Sequence, residues 1–252
     1  MAEAANRETA RDGLPPRLEL AGWRERWGLV AGITTRGEEA SPWDMGFAGS
    51  APIGQVLPRW HALVAACAPG GGAVAARQVH GREIAWHSAG HGPGIRLLDG
   101  LDGHATGSPG LLLAVTVADC VPVYLADPVQ RLIALLHAGW RGTASGILEA
   151  GVRLLVAQGA RAQDLVMHAG VGICGACYQV GPEVLSACGL PAGAGPGHLD
   201  LRAELARRAG EAGVGTASVS PWCAAHDRDR FFSHRASGGA GERMVAYLGL
   251  LS

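Results

Sequence analysis

Lysine is absent from the 252-residue chain, so its 21 basic residues are all arginine. This absence excludes a P-loop lysine, a Schiff-base lysine and a lysine that anchors pyridoxal phosphate. Any bound phosphate must therefore be held by arginine, by backbone N–H groups or by a metal. The formal net charge of −1 gives no electrostatic reason to expect a nucleic acid or an anionic membrane as a partner.

Long apolar segments and closely paired histidines are also missing. The longest apolar stretch, residues 111–126, is interrupted by Asp119 and Pro122 and cannot span a bilayer. The chain has no H-x-H pair, which argues against a multicopper cluster. Residues 1–16 lack the apolar core of a signal peptide, so we expect a cytoplasmic protein whose six cysteines are reduced.

The sequence predicts one α+β domain over residues 17–252, preceded by a disordered tail over residues 1–16. Hydrophobic patterning predicts strands over residues 29–34, 73–79, 83–87, 111–117, 121–126, 131–136, 165–169 and 244–250. It predicts helices over residues 55–66, 144–157, 183–188 and 201–212. Hairpins mixed with helices favour layered α+β packing over a doubly wound parallel sheet.

Two short apolar runs predict a β-hairpin. Residues 121–126 are rich in β-branched and aliphatic side chains, an Asp-Pro pair gives a turn signal, and residues 131–136 form a second apolar run. Antiparallel pairing would bring Cys120, just before the first strand, close to His137 at the end of the second. The hairpin therefore predicts a thiol and an imidazole side by side.

A third donor lies upstream of this hairpin. His80 follows the strand-like residues 73–79 and stands before a glycine. Three donors at strand ends, His80, Cys120 and His137, suit a catalytic zinc site with one position open for water or substrate. The structural alternative is that the thiol is a small buried hydrophobic group and that both histidines are ordinary hydrogen-bonded residues.

Five motifs occur in an order that resembles the YfiH-type laccase-domain family. The resemblance extends over roughly residues 28–250, and two of the motifs, A-D-C-x-P and H-A-G-W-R-G-T, are specific. The five are T-T-R (34–36), Q-V-H-G (78–81), A-D-C-V-P-V (118–123), H-A-G-W-R-G-T (137–143) and F-F-S-H-R (231–235). Departures from the family pattern, such as Gly37-Glu38-Glu39 after T-T-R, leave the three donor positions unchanged.

Members of that family are described as purine nucleoside phosphorylases with adenosine deaminase activity, as polyphenol oxidases and as peptidoglycan editing factors. The resemblance implies a single-domain αββα-type layered sandwich with mixed sheets. It also implies a metal held by His80, Cys120 and His137, which would be the catalytic residues. We expect Zn²⁺ at this site, with copper as the alternative, and a small-molecule substrate such as a purine nucleoside with phosphate. The oligomeric state is left open.

Three classes of function follow from these observations. The first is a zinc enzyme that acts on adenosine, inosine or methylthioadenosine, by phosphorolysis or by deamination. The second is a copper-dependent polyphenol oxidase. The third is a hydrolase that edits a peptidoglycan precursor, with Cys120 as nucleophile and His137 as base. Metal content separates them, because a metal-bound thiolate cannot also be a free nucleophile.

Three further residues, Arg36, Gln78 and Arg141, are interpreted as substrate-binding. Thr143 is predicted to cap a helix that begins at residue 144, whose free N–H groups would hold an anion beside the metal. The two arginines would clamp phosphate or another anionic group of the substrate.

Structural roles are the alternative for several polar residues. The two arginines could instead form salt bridges with Asp119 or Asp127. The C-x-x-C motif over residues 174–177 is interpreted as a turn, because the chain has no second C-x-x-C. Among the remaining histidines, His104 and His234 are expected to line a pocket, since they flank motif segments.

Overall fold

The computed structural model describes residues 6–47, 49, 51–88 and 92–251 of the chain. Its strands are β1 (Thr9–Arg11), β2 (Arg17–Glu19), β3 (Leu29–Thr34), β4 (Gly37–Glu38), β5 (Ser41–Pro42), β6 (Gly72–Arg77), β7 (Ile84–His87), β8 (Gly94–Asp99), β9 (Gly103–Thr106), β10 (Leu111–Val117), β11 (Val121–Asp127), β12 (Leu132–Ala138), β13 (Val166–Ala169), β14 (Gln179–Val180), β15 (Gly197–His198), β16 (Thr216–Val219) and β17 (Met244–Leu250). Its helices are α1 (Ala21–Trp27), α2 (Ile53–Cys67), α3 (Trp140–Ala144), α4 (Ile147–Ala157), α5 (Pro182–Ala187) and α6 (Leu201–Glu211), with a 3₁₀ turn over Ala162–Asp164. Within these described ranges, no helix combines the length and the apolar character that a membrane crossing requires.

Two mixed sheets contain most of the strands. The seven-stranded sheet has the order β1-β2-β3-β17-β10-β6-β8, and the six-stranded sheet has the order β16-β13-β11-β12-β9-β7. In the first sheet β10 pairs antiparallel with β17 and parallel with β6. In the second sheet β11 pairs antiparallel with β12 and β13, whereas β13 pairs parallel with β16.

The two sheets pack face to face between two layers of helices. Tyr124 and Leu135 face the apolar layer between the sheets, whereas their strand neighbours Val123 and Leu136 face the layer under α4 and α6. On the other side of the molecule, Trp60 of α2 packs against the seven-stranded sheet. Alternate residues of a strand point to opposite faces, so a strand that is apolar throughout requires a layer on each side. This arrangement confirms the αββα sandwich with mixed sheets.

The N-terminal segment contributes to the fold. The structure describes residues 6–16 of the disordered tail predicted for residues 1–16, and these residues contact the rest of the chain, which corrects that prediction. Strand β1 pairs antiparallel with β2. The buried carboxylate of Glu8 lies 3.0 Å from Nε2 of His168 and accepts a hydrogen bond from Oγ of Ser220 at 2.8 Å. Local polarity gave no sign of this burial, because the partners lie more than 150 positions away. Residues 1–5 lie outside the described residues.

The predicted hairpin is present as β11 and β12. Oδ1 of Asp127 accepts hydrogen bonds from two backbone N–H groups in the connecting turn, at 2.8 and 2.9 Å. Pro122 lies opposite His137 in the register, and Cys120 immediately precedes β11. The thiol and the imidazole therefore lie at the same edge of the six-stranded sheet.

The helix predicted over residues 144–157 begins at Ile147, as α4, and a separate short helix, α3, ends at Ala144. α4 begins after Gly146, whose φ of +84° lies in the left-handed region and interrupts the helical path. The shorter α3 begins after Gly139, with no side-chain cap. The predicted N-cap role of Thr143 is therefore wrong, since this residue is buried inside α3.

Candidate active site

Three side chains from separate parts of the chain meet at this sheet edge. His80 lies in the loop after β6, Cys120 lies between β10 and β11, and His137 lies near the end of β12. One donor atom of each residue lies within 4.8 Å of the other two. The imidazole rings of His80 and His137 have centroids 4.9 Å apart and an interplanar angle of 75°. The fold thus brings together the three residues that the strand-end pattern grouped.

The backbone around these donors is locally strained and closely packed. His80 has a φ of +59°, and Asp119, next to Cys120, has a φ of +89°. Residues other than glycine adopt such values at a cost in free energy, typically where the surrounding structure fixes a functional loop. A Cβ at Gly139 would lie 3.0 Å from Sγ of Cys120 and 3.2 Å from Cδ2 of His80. A side chain at residue 139 would therefore crowd two of the three donors, and glycine avoids this contact.

Asp102, completely buried just before β9, connects the two histidines. Its Oδ1 lies 2.8 Å from Nδ1 of His137 and accepts the backbone N–H of His80 at 2.9 Å. Its Oδ2 accepts the backbone N–H groups of Gly81 at 2.6 Å and Val79 at 3.2 Å. Burial raises the pKa of this carboxyl, but the hydrogen bonds from His137 and Gly81 outweigh it and lower the pKa overall. An ionised Asp102 keeps Nδ1 of His137 protonated, so Nε2 is the nitrogen that can bind a metal.

Cys120 and His137 polarise each other. Burial raises the pKa of the Cys120 thiol, but His137 and His80 beside it lower the pKa overall to about 6. Burial lowers the pKa of His137, whereas Cys120 and Asp102 raise it overall to about 9. The pair therefore carries a thiolate and an imidazolium near neutral pH. A divalent cation can replace the imidazolium proton, because sulfur and nitrogen ligands bind metals in their deprotonated forms.

The donor set fits a metal ion of the zinc or copper class. Two imidazole nitrogens and one thiolate are ligands that both ions accept. Three protein ligands are typical of catalytic zinc sites, in which a further position stays open. The hydrogen bond from His137 to a buried carboxylate is the usual way in which a metal-binding histidine is oriented.

Asp119 connects the turn at Cys120 to the C-terminal motif F-F-S-H-R. Its carboxylate accepts hydrogen bonds from Oγ of Ser233 at 2.6 Å and from the backbone N–H of Arg235 at 2.7 Å. Its carbonyl oxygen accepts the backbone N–H of Ile173 at 2.8 Å. These bonds stabilise the strained turn and bring two distant segments of the chain to the donor cluster.

The donor cluster opens into a cavity of about 820 Å³. Part of the lining is apolar, from Phe47, Leu97, Leu98 and Ile173. The polar part includes Gln78, Asp99, Tyr178, His234 and the arginines at positions 77, 141, 235 and 243. The volume is within the range of pockets that enclose small organic ligands.

Arg141 differs from the other arginines of this cavity. Its guanidinium lies 4.3 Å from the ring centroid of Trp140 and, among the described residues, has no hydrogen bond or ion pair to the protein. The other three donate hydrogen bonds to protein oxygens: Arg77, Arg235 and Arg243. Among the described residues, neither Arg141 nor Arg36 forms the alternative salt bridge to Asp119 or Asp127, and the carboxylate of Asp119 accepts hydrogen bonds from Ser233 and Arg235 instead. The donors of Arg141 are thus available to a ligand.

The other two predicted substrate residues have different surroundings. Gln78 lines the cavity, but its amide donates to the carbonyl oxygen of Thr116 at 2.9 Å and accepts the N–H of Thr116 at 2.7 Å. Arg36 is not among the described residues that line the cavity. It donates to the carbonyl oxygen of Arg228 at 3.1 Å and lies 5.7 Å from the ring centroid of Phe232. Gln78 therefore joins two strands at the cavity wall, and Arg36 stands outside it.

Two residues of the site, Asp102 and Tyr178, were not found from the sequence. Neither stands in a motif, and each reaches the site through long-range strand pairing or a distant loop. The prediction that His234 lines a pocket agrees with the structure. The same prediction for His104 is wrong, because it is buried with its Nδ1 3.1 Å from Nε2 of His87. Burial and the neighbouring His87 lower the pKa of His104 to about 3.

Comparison with known proteins places the chain in a family. The sequence matches the family described as "Multi-copper polyphenol oxidoreductase laccase" over residues 31–251. It is 39% identical over 180 residues to a protein from Deinococcus radiodurans named purine nucleoside phosphorylase, a match that covers 69% of this chain and 68% of that protein. It is 36% identical over 155 residues to a protein from an unknown prokaryotic organism named adenosine deaminase RL5, with 56% and 59% covered.

The same relationship is visible in three dimensions. The crystal structure of the Bacillus licheniformis hypothetical protein YfiH superposes on this chain with a TM-score of 0.84 at 28% sequence identity. The superposition covers 96% of this chain and 98% of that one. The chain therefore belongs to the multi-copper polyphenol oxidoreductase laccase family, the YfiH-type laccase-domain family that its motifs resemble.

Proposed function

We propose that the protein is a metal-dependent enzyme that cleaves purine nucleosides with phosphate and also deaminates adenosine. One observation carries the proposal: a cluster of three metal-type donors and the unpaired guanidinium of Arg141 line the same cavity. The names of the two relatives, purine nucleoside phosphorylase and adenosine deaminase, support the class of substrate.

His80, Cys120 and His137 would hold the ion, for which we propose Zn²⁺. When bound, zinc supplies a Lewis acid that polarises oxygen atoms. Asp102 keeps the ring of His137 in one orientation, with Nδ1 protonated and Nε2 towards the ion. The thiolate of Cys120 contributes the only negative charge among the three ligands, so the occupied site would keep a net charge of about +1.

Arg141 would bind the phosphate. In phosphorolysis a phosphate oxygen forms a bond to C1′ of the ribose, the bond from C1′ to the purine nitrogen breaks, and the purine leaves with that electron pair. Phosphate must therefore lie beside the sugar. A guanidinium offers a planar fork of N–H donors that matches two phosphate oxygens. The contact with the Trp140 ring restricts the orientation of this fork.

The apolar wall and Tyr178 suit the purine. Phe47, Leu97 and Ile173 would exclude water from the faces of the base. Burial and the negative charge of Cys120 raise the pKa of the Tyr178 phenol to about 12. Tyr178 therefore stays protonated at neutral pH and can donate a hydrogen bond to a purine nitrogen or to a hydroxyl group of the sugar.

Deamination would use the same cavity with water in place of phosphate. A water oxygen adds to C6 of the purine, the bond from C6 to the exocyclic nitrogen breaks, and ammonia leaves after that nitrogen gains a proton. This reaction does not require the donors of Arg141. The two activities therefore depend differently on this side chain, so a substitution of Arg141 should separate them.

Two other functions have some support. The family description favours a polyphenol oxidase, since a thiolate with two imidazoles can also bind copper. The polarised pair of Cys120 and His137 favours a cysteine hydrolase, because a lowered thiol pKa activates a nucleophile. We prefer a metal enzyme to the hydrolase because two histidines converge on the thiol instead of one. We prefer zinc to copper because the chain has no H-x-H pair of the kind found in multicopper clusters and because a cytoplasmic setting would keep the thiolate reduced.

The proposal is tested by product analysis. Protein of verified metal content is incubated with adenosine, inosine or methylthioadenosine, with and without phosphate. We expect free base and a sugar 1-phosphate only when phosphate is present, and inosine from adenosine in both cases. Cys120→Ala should lose both activities, whereas Cys188→Ser, a change at a buried cysteine outside the donor cluster, should keep them. Zinc-loaded protein that converts none of the three nucleosides would contradict the proposal.

A further inference from the structure

A second group of metal-type donors lies outside the site described above. Its members are Cys174, Cys177, Cys223 and His226, and one donor atom of each lies within 4.8 Å of the others. Sγ of Cys174 is 3.7 Å from Nδ1 of His226. Ligand atoms of a tetrahedral zinc site stand roughly 3.5–3.8 Å apart, given zinc–sulfur bonds of about 2.3 Å and zinc–nitrogen bonds of about 2.0 Å. The distance between Cys174 and His226 therefore matches an occupied site, and the other donor atoms lie within 4.8 Å of one another.

Two short turns present these four residues. The backbone N–H of Cys177 donates to the carbonyl oxygen of Cys174 at 3.0 Å, and that of Asp227 donates to the carbonyl oxygen of Cys223 at 2.9 Å. A parallel bridge between Gly172 and Cys223 places the two turns side by side. Each turn offers donors three positions apart, as C-x-x-C and C-x-x-H. This spacing is typical of structural zinc sites.

We propose that these four residues bind a structural zinc ion in a closed Cys₃His site. Four protein ligands complete a tetrahedral shell and leave no position for substrate, unlike the three-ligand cluster in the cavity. Three thiolates at this distance repel one another unless a cation lies between them. The backbone N–H of Cys174 donates to Sγ of Cys223 at 3.3 Å, which holds this sulfur beside the first turn. The C-x-x-C motif is then one half of a metal site and more than a turn.

The second site lies next to the cavity, so a bound zinc ion would support part of the cavity lining. Ile173 and Tyr178 flank the first turn, and both line the cavity. The second turn is continuous with F-F-S-H-R, since the backbone N–H of Phe231 donates to the carbonyl oxygen of Asp227 at 3.0 Å. Zinc would therefore join two loops that form one wall of the cavity, and its loss should loosen that wall.

The test uses Cys120→Ala as background, so that the first site no longer contributes metal. We expect this variant to retain about one zinc per chain by elemental analysis after dialysis. Adding Cys177→Ser should remove that zinc. Adding His226→Ala, a change at an exposed side chain that the fold tolerates, should weaken zinc binding in a competition titration at least tenfold. Adding Cys188→Ser, at a buried cysteine outside both clusters, should leave about one zinc bound.

Cobalt loading gives an independent readout. Co²⁺ in the Cys120→Ala background should show the charge-transfer absorption of thiolate ligation, and this absorption should disappear with Cys177→Ser. A chelator should lower the melting temperature of the background variant and leave that of Cys120→Ala/Cys177→Ser unchanged. The proposal is overturned if Cys120→Ala binds no zinc, if His226→Ala and Cys177→Ser leave its zinc unchanged, or if mass spectrometry shows Cys174 and Cys177 joined as a disulfide in freshly purified protein.

Discussion

The carboxylate of Asp102 lies 2.8 Å from Nδ1 of His137, and the same buried group accepts the backbone N–H of His80. One side chain thus orients a donor of β12 and the loop that carries a second donor. A buried carboxylate that accepts several hydrogen bonds fixes the geometry of its partners more firmly than a solvent-exposed one. The donor cluster is therefore preorganised by a residue that is not itself a metal ligand.

Asp102→Asn should weaken metal binding. The amide has one accepting oxygen in place of two, so at least one of the four groups bonded to Asp102 would lose its partner. Loss of such a supporting hydrogen bond typically lowers metal affinity about 10–100-fold. Competition against a chromophoric chelator measures the change.

Asp99→Asn is the matched control for that substitution. Asp99 also borders the cavity, but it is exposed and its carboxylate pairs with Arg77. We expect unchanged zinc affinity in this variant. If Asp102→Asn binds zinc as tightly as Asp99→Asn, the carboxylate does not orient the ligands.

The thiol of Cys120 should react with alkylating agents at unusually low pH in zinc-stripped protein. Its pKa is lowered to about 6, so the reactive thiolate forms as the pH rises through about 6 instead of the roughly 8.5 of a free cysteine. Mass spectrometry of the labelled peptide across pH measures the midpoint. Zinc should protect the thiol, and Cys120→Ala should lose this labelled peptide. A midpoint near 8.5 would show that His137 does not polarise the thiol.

Arg141→Ala should separate the two proposed activities. A lost charged hydrogen bond costs about 1.5–3 kcal/mol, which corresponds to a rise of roughly tenfold to hundredfold in the Michaelis constant for phosphate. Bound zinc and the deamination rate should stay within a few-fold of the original values. Arg141→Lys should recover only part of the loss, because an ammonium cannot reproduce the planar fork.

The matched control for Arg141 is Arg36→Ala, at an arginine outside the cavity lining that the sequence also proposed as a clamp. The Michaelis constant of Arg36→Ala for phosphate should equal that of the unchanged protein. If Arg141→Ala lost both activities to the same extent and kept its zinc, Arg141 would bind the purine or stabilise the fold instead of binding phosphate.

Gly139→Ala should disturb the donor cluster without straining the backbone. The φ of −81° suits any residue, but the new Cβ would lie 3.0 Å from Sγ of Cys120 and 3.2 Å from Cδ2 of His80. We expect weaker zinc binding by chelator competition and lower activity. Gly210→Ala is the control, because its Cβ meets nothing within 4 Å and alanine favours the helix α6 by up to about 1 kcal/mol. Equal zinc affinity in the two variants would show that the donor cluster does not require a glycine at residue 139.

The donors of the cavity could be predicted because the sequence places them at strand ends. Cys120 and His137 stand at the two ends of one hairpin, so local pairing alone brings them together. Asp102 could not be found in this way. It stands in a polar, glycine-rich stretch, and it lies behind His137 only because β9 pairs with β12 and β7.

The second donor cluster could not be predicted in full for the same reason, because long-range pairing brings its members together. Local spacing identified Cys174 and Cys177, but their neighbours Cys223 and His226 follow about 50 positions later and meet them through one isolated bridge. Helix boundaries near the site failed for another reason. Gly146 adopts a left-handed conformation just before α4, so this helix begins at residue 147 instead of 144, and nothing in the hydrophobic pattern distinguishes Gly146 from other glycines.

We propose that zinc at His80, Cys120 and His137 supports nucleoside chemistry. The most direct test measures two activities in one copper-free preparation whose zinc content is titrated: phosphate-dependent cleavage of adenosine and oxidation of a phenol. Zinc has no redox chemistry, so we expect no phenol oxidation. Cleavage of adenosine should rise with the amount of zinc bound, and this rise should require Cys120. Phenol oxidation by this copper-free preparation, or full nucleoside cleavage by Cys120→Ala, would contradict this proposal.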